Sequence, residues 1–313
     1  MLYQRLRQVL DPLALTWEWI IVDDHSPDST FDVIRNIAAG DSRVCGLRLS
    51  RNSGSHIALT CGVNTARGQC CVVLAADLQD PPETIGLLLE RWRAGAQVVW
   101  AVRSQREGES ISTILFAQFY YWVMRNMVGL HQMPATGADF FLMDAKVAKA
   151  FREFQETNIS MLALITWMGF RQEQIQYVKQ ARLHGSSGWS LRKKLKLVVD
   201  SVTSFSYAPI RLMSIGGIFL AFMGFLYAGF VVVHAFSGQP VSGWSSLMVL
   251  VLLVGGFQIL LMGVLGEYIW RTLDETRRRP RFLIEDATAP PPAMERTPSL
   301  LSRGTATGDP RDR

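Results

Sequence analysis

The chain has 313 residues, 49% of them hydrophobic and 19% charged, and carries a formal net charge of +5. That is enough apolar sequence to bury a sizeable core in one large or two smaller domains. Its four cysteines (Cys45, Cys61, Cys70 and Cys71) have neither paired spacing nor a metal pattern with histidine, which argues against a disulfide framework and for a reduced, cytosolic compartment. The basic excess flanks apolar stretches (Arg192, Lys193, Lys194, Lys196 and Arg211 before them; Arg271, Arg277, Arg278, Arg279 and Arg281 after), a placement suited to anionic lipid headgroups and not to nucleic acid.

In chain order, the first residues lack the continuous apolar stretch and small-residue cleavage site of a signal peptide, so any membrane insertion depends on later segments. LYQRLRQVL reads as a helix. The runs WEWIIVDD, VCGLRLS, CCVVLAAD and AQVVWAV read as strands separated by helical patterns, which predicts a mostly parallel sheet covered by helices on both faces. In such sheets ligands bind beyond the carboxyl ends of the strands. Two of those ends are acidic. The first strand ends at Asp23 and Asp24 within VDDHSPDST, where paired carboxylates can accept from a base N–H or from ribose hydroxyls, or can serve only as turn residues. The third is followed by AADLQDPPE, which supplies Asp77, Gln79, Asp80 and Glu83. A carboxylate there suits Mg²⁺ or Mn²⁺ sharing a substrate's phosphates, whereas Glu83 fits the start of a helix. No glycine-rich dinucleotide fingerprint and no phosphate-loop lysine motif is present, so both of those nucleotide-binding classes lose support.

Further along, residues 111–130 are rich in Phe, Tyr, Trp and Met and suit either an interfacial or a core helix. Residues 191–210 mix Lys and Arg with Leu, Val and Phe at helical spacing, as expected of an amphipathic helix in the headgroup region. The stretches 212–236 and 244–270 are each about 25 residues and nearly uncharged, long enough to cross a ~30 Å hydrocarbon core. SGQPVSG between them has no Lys or Arg while both outer flanks are basic, which places the flanks and the preceding domain in the cytoplasm. Glu267 and His234 fall near span ends, where interfacial positions are expected. Glycines along both spans would permit close packing within the hairpin or between protomers of a homo-oligomer. The tail after Ile284 is expected to be disordered. The resulting division is a domain over 1–190, a juxtamembrane helix over 191–211, the two spans, and a tail over 271–313, basic and then disordered.

The ordered set VDDHSPDST, LSRNSGSHIALTCGVNTARG, ADLQDPPE, TGADFFLMD, ARLHGSSGWSLRKKL and GEYIWRTLDETRRRP resembles glycosyltransferase family 2, in its polyprenyl-phosphate (dolichyl-phosphate-mannose-synthase-like) branch with a C-terminal transmembrane hairpin. The resemblance implies a GT-A, Rossmann-like fold, a UDP- or GDP-linked sugar donor, an undecaprenyl or dolichyl phosphate acceptor, and inversion at the anomeric carbon. It implies that Asp24, with Asp23 beside it, contacts the nucleoside, that Asp77 binds Mg²⁺ or Mn²⁺, and that Gln79 and Asp80 form the associated turn. Arg103 would lie near the diphosphate or acceptor phosphate and Asp139 near the sugar as base or orienting group. Arg182, Ser187 and Trp189 would grip phosphates, assisted by Lys193 and Lys194. Two departures stand out. Ala75 occupies the place of the first metal-motif aspartate, and the family's opening strand of the type VVIPVYNE is not seen ahead of LYQRLRQVL. The expectation is a sheet without its first strand, through a misplaced start or a truncation in preference to a true deletion. A non-catalytic membrane scaffold of the same family is the alternative reading.

Overall fold

In a computed structural model of the chain, the described residues are 1–104, 111–126, 128–130, 132–134, 139–154, 156, 160–180, 200–203, 206, 208–236 and 243–289. LYQRLRQVL forms α1 (Leu2–Leu10), and the four expected strands form as β1 (Trp19–Asp23), β2 (Val44–Leu49), β3 (Cys70–Val73) and β4 (Val98–Arg103). Between them lie α2 (Thr30–Gly40), α3 (Ser55–Thr65) and α4 (Ile85–Arg93). Beyond the sequence expectation are β5 (Phe140–Asp144), β6 (Gln172–Tyr177) and β7 (Ile284–Ala287). They are accompanied by α5 (Ile111–Asn126), α6 (Ala145–Glu153) and α7 (Met161–Trp167).

The strands form two sheets, ordered β1-β2-β7 and β3-β5-β4-β6. β1 pairs parallel with β2 and β4 parallel with β6, whereas β7 runs antiparallel to β2 and β5 antiparallel to both β3 and β4. The pairing is mixed, which corrects the mostly parallel expectation. The reason lies in α5. A parallel return needs a crossover helix lying on the sheet, but the buried side of α5 (Tyr120, Met124) packs with Ala163 of α7 and with Leu130 and Met133. β5 therefore re-enters the sheet in the opposite sense.

Helices do cover both faces of the second sheet. Alternate residues of each strand point to opposite faces, so Val98 and Trp100 of β4 join Phe141 and Met143 of β5 in a core closed by α6 and α7 through Val147, Phe151, Met161 and Leu164. On the other face Val99, Ala101, Phe140 and Leu142 meet Leu6 of α1 and Ile85, Leu88 and Leu89 of α4. Strands buried on both sides hold the strand tips rigidly.

α8 (Ala208–Phe236) and α9 (Trp244–Thr276) follow. They contain stretches long and apolar enough to cross a membrane, Ile210–His234 and Leu253–Thr276, and nothing in the described chain buries them. At the base of the hairpin, Arg271 donates to Glu267 (2.9 Å) and to Asp200 (2.6 Å), so Glu267 is ion-paired there. Of the expected juxtamembrane helix over 191–211, 200–203 is helical and 208–211 opens α8, while 191–199, 204, 205 and 207 lie outside the described residues. Of the two readings of α5, the core one is seen in Tyr120 and Met124, which are buried, while Trp122 is exposed.

The expectation of disorder after Ile284 is corrected at its start. Ile284–Ala287 is strand β7, because Ile284 and Ala287 pack against Leu47 and Leu49 while the charges between them find partners. Arg48 donates to Glu285 (3.1 Å) and Arg35 to Asp286 (2.8 Å). Thr288 caps the pairing by accepting from the Gly46 amide (2.8 Å).

Candidate active site

The two acidic strand tips have different environments. At the end of β1, Asp23 is 3% exposed, accepts from the Ser26 amide (3.0 Å) and faces Arg48 at 3.7 Å. Both carboxylate oxygens of Asp24 are taken by backbone amides at the head of α3, Ser53 and Gly54, each at 2.7 Å. Asp24 thereby fastens the β1 loop to α3 across the turn in which Gly54 takes φ +91°. His25 follows in a left-handed conformation (φ +59°), a strain that a non-glycine residue sustains only where surrounding structure enforces it.

The loop after β3 repeats the strain. Leu78 has φ +61°, between Asp77, whose Oδ1 accepts from the Gln79 amide (3.2 Å), and Gln79 itself. Asp80 is 1% exposed; its Oδ1 accepts from the Tyr177 hydroxyl at 2.6 Å, while its Oδ2 is buried without a hydrogen-bond partner. Burial, reinforced by the neighbouring Asp80 carboxylate, pushes the Tyr177 phenol well above its ordinary range. Glu83 pairs with Arg5 of α1 (2.7 Å), in agreement with its structural assignment.

Parallel pairing of β4 with β6 sets Arg103 opposite Tyr177 and so carries the β6 exit to the same end of the sheet. Gln180 donates its amide to Gln79 O (2.9 Å), and Ser104 donates to Tyr177 O (2.9 Å), locking three loops together. Arg103 faces Asp139 at 3.6 Å; the guanidinium is 18% exposed and the carboxylate 64%. Lys179 is the residue that sequence reading missed. Burial, then Arg103, holds its ammonium below the usual lysine range, while Asp80, Asp139 and Asp77 act in the opposite direction. His56, in the first turn of α3, lies within electrostatic reach of Asp139, and burial keeps its imidazole below its ordinary value. Its Nδ1 is buried with no hydrogen-bond partner among the described residues. No sequence signal singled out Lys179 or His56, because β6 was not anticipated and His56 sits in an ordinary helical stretch.

The structure thus brings Asp77, Asp80, Arg103 and Asp139 around Lys179, with Gln79 in the loop that Gln180 ties down. It fastens Asp24 to the head of α3, from which His56 lies within electrostatic reach of Asp139; Asp23 is tied to Ser26 and Arg48. Arg182, Ser187, Trp189, Lys193 and Lys194 lie outside the described residues. Among the described residues no group of three His, Cys, Asp or Glu side chains could hold a metal. Asp77 is one half-buried carboxylate, with Ala75 two residues before it. One carboxylate fits a hard cation of the Mg²⁺ type, which keeps waters and substrate phosphates in its shell.

The profile described as glycosyl transferase family 2 matches residues 1–158. The chain belongs to glycosyltransferase family 2. It is 39% identical to the uncharacterized glycosyltransferase YkcC of Bacillus subtilis over 90% of this chain and 88% of that protein. It is 33% identical to a bactoprenol glucosyl transferase of Shigella phage SfX over 90% of this chain and 93% of that protein. A solved structure of glucosyl-3-phosphoglycerate synthase from Mycobacterium tuberculosis, with Mn²⁺, UDP-glucose and phosphoglyceric acid, superposes with a TM-score of 0.45 at 16% identity, covering 64% of this chain and 73% of that one. The chain is a glycosyltransferase, its family membership agreeing with the resemblance carried by its motifs.

Proposed function

We propose that this enzyme transfers a hexose from a UDP- or GDP-linked donor to polyprenyl phosphate at the cytoplasmic face of the membrane, with inversion. The observation that carries this reading is a mixed-charge strand-tip cluster, Asp77, Asp80, Arg103, Asp139 and Lys179, on a chain that also has two membrane-length helices. The relatives named bactoprenol glucosyl transferases support the same substrate class over nearly the whole chain.

An oxygen of the lipid phosphate attacks the anomeric carbon, the bond from that carbon to the donor diphosphate breaks, and nucleoside diphosphate leaves. The acceptor is already anionic at neutral pH, so a strong base is not required, and orientation with electrostatic stabilisation supplies most of the acceleration. Asp139, oriented by Arg103, aligns the sugar; Arg103 also screens the approach of two anionic phosphates. Asp77 would hold Mg²⁺ or Mn²⁺, which when bound neutralises charge on the leaving diphosphate. Asp23 and Asp24 shape the nucleoside side of the cleft through the head of α3. Arg182, Ser187, Trp189, Lys193 and Lys194 are assigned to the lipid phosphate. The basic flanks of the hairpin favour a cytoplasmic catalytic domain on an integral membrane protein, and the glycines of α8 and α9 suit a homo-oligomer.

Incubation of the full-length protein with radiolabelled UDP- and GDP-hexoses and undecaprenyl phosphate should give an organic-extractable, mild-acid-labile product with at least one donor. Absence of such product with every donor, from protein that is folded, would overturn the reading. Ala75 favours one competing interpretation, a non-catalytic membrane scaffold, which binds neither donor nor metal; nucleotide-sugar binding separates the two.

A further inference from the structure

Lys179 is a half-buried cation whose surroundings are mostly anionic and yet do not pair with it. Among the described residues, Asp77, Asp80 and Asp139 all act on its charge, but none comes within ion-pair distance of it. A desolvated ammonium left without a direct partner is costly, and Tyr177 rather than Lys179 occupies Asp80. Its position is fixed by backbone. The Arg103–Tyr177 register and the Gln180–Gln79 hydrogen bond (2.9 Å) hold residue 179 between the Arg103 strand end and the Asp77–Asp80 loop. Two residues before Lys179, at the end of β6, the Tyr177 hydroxyl reaches Asp80.

Two cations, Arg103 and Lys179, therefore stand beside the Asp77 loop, in a chain that has Ala75 where its family resemblance implies a second metal carboxylate. With a single carboxylate, metal affinity at this site is reduced, and more of the donor's negative charge must be met by fixed side chains. We propose that Lys179 is a diphosphate-binding residue that, with Arg103, takes over part of the charge neutralisation supplied elsewhere by a metal held on two aspartates. The inference rests on the proposed sugar-nucleotide reading and adds to it a residue and a division of labour. Lysine acts there as a compact point charge, suited to a phosphate oxygen whose position shifts as the diphosphate departs.

The test is binding by the full-length protein in nanodiscs, measured calorimetrically with UDP, GDP, UMP and GMP, with Mg²⁺ or with excess chelator. Wild type should bind one diphosphate well in both conditions. Lys179→Gln and Lys179→Met, whichever retains the wild-type melting temperature, should weaken diphosphate binding about tenfold, the loss of one charge-assisted contact, and by more in chelator than in Mg²⁺. Monophosphate binding should change less than about twofold, and Lys179→Arg should retain most of the diphosphate affinity. Ala75→Asp in the Lys179→Gln background should restore diphosphate binding in Mg²⁺ and not in chelator. Unchanged diphosphate binding in both neutral variants, or equal weakening of mono- and diphosphates, would overturn the assignment while leaving the transferase reading intact. Failure of the wild type to bind either diphosphate or to transfer sugar would overturn both.

Discussion

The two acidic loops look alike in sequence and differ in what neutralises them. After β1, both Asp24 oxygens accept from the amides of Ser53 and Gly54, while Asp23 accepts from the Ser26 amide through Oδ1 and its buried Oδ2 faces Arg48 at 3.7 Å without a hydrogen bond among the described residues. After β3, Asp77 and Asp80 lie within electrostatic reach of Lys179, which the β4–β6 register and the Gln180–Gln79 hydrogen bond hold near Arg103. Both loops carry a strained left-handed residue, His25 in one and Leu78 in the other. Backbone N–H groups take both oxygens of Asp24, whereas the Asp77–Asp80 loop lies beside side-chain cations, Arg103 and Lys179.

The sharpest way to break this comparison is to neutralise one carboxylate in each loop. Asp77→Asn should reduce sugar transfer about a hundredfold or more, the scale of losing several kcal/mol of leaving-group stabilisation, with an unchanged melting temperature. Asp24→Ala should do the reverse in kind: two orphaned amides cost about 1–3 kcal/mol each. The melting temperature should fall by roughly 2–4 °C per kcal/mol, and hydrogen exchange should rise at the head of α3. If Asp24→Ala instead raises the donor KM with no thermal effect, Asp24 belongs to the nucleoside and the contrast between the loops collapses.

Smaller effects sharpen the second loop. Tyr177→Phe removes the sole hydrogen bond to the buried Asp80 carboxylate among the described residues. It should cost about 1–3 kcal/mol of stability, visible as a lower denaturation midpoint, and weaken transfer by loosening the Asp77 turn. The least effect is in pH. Lys179 has its pKa lowered, so its charge is lost on the alkaline side earlier than for an ordinary lysine. Donor KM should therefore begin to rise below the usual lysine range as pH increases, and Lys179→Arg, which stays charged, should flatten that rise.

Much of this was legible in the residues. The β-rich runs ending in VDD and AAD, the motif order and the two apolar stretches located β1, β3, α8, α9 and both acidic tips. β5 escaped because FFLMD is a short apolar run buried on both faces, with no alternation to mark it as a strand. β6 escaped for the opposite reason: QEQIQY is an edge strand in which only Ile175 and Tyr177 are buried. Missing β6 hid Lys179, whose importance depends entirely on where that strand ends. The division of labour between Asp24 and Asp77 was equally hidden, since it rests on amides of residues about thirty positions away in sequence.

β7 has a consequence for how the protein is made. The edge strand that completes the β1-β2 sheet, with its Arg48–Glu285, Arg35–Asp286 and Gly46–Thr288 ties, is encoded after the hairpin. The last strand of that sheet therefore leaves the ribosome only after both apolar helices have been made. Chain release that stops short of residue 284 would leave β2 with a bare edge, so closure of the first sheet depends on complete synthesis of the segment beyond the two apolar helices.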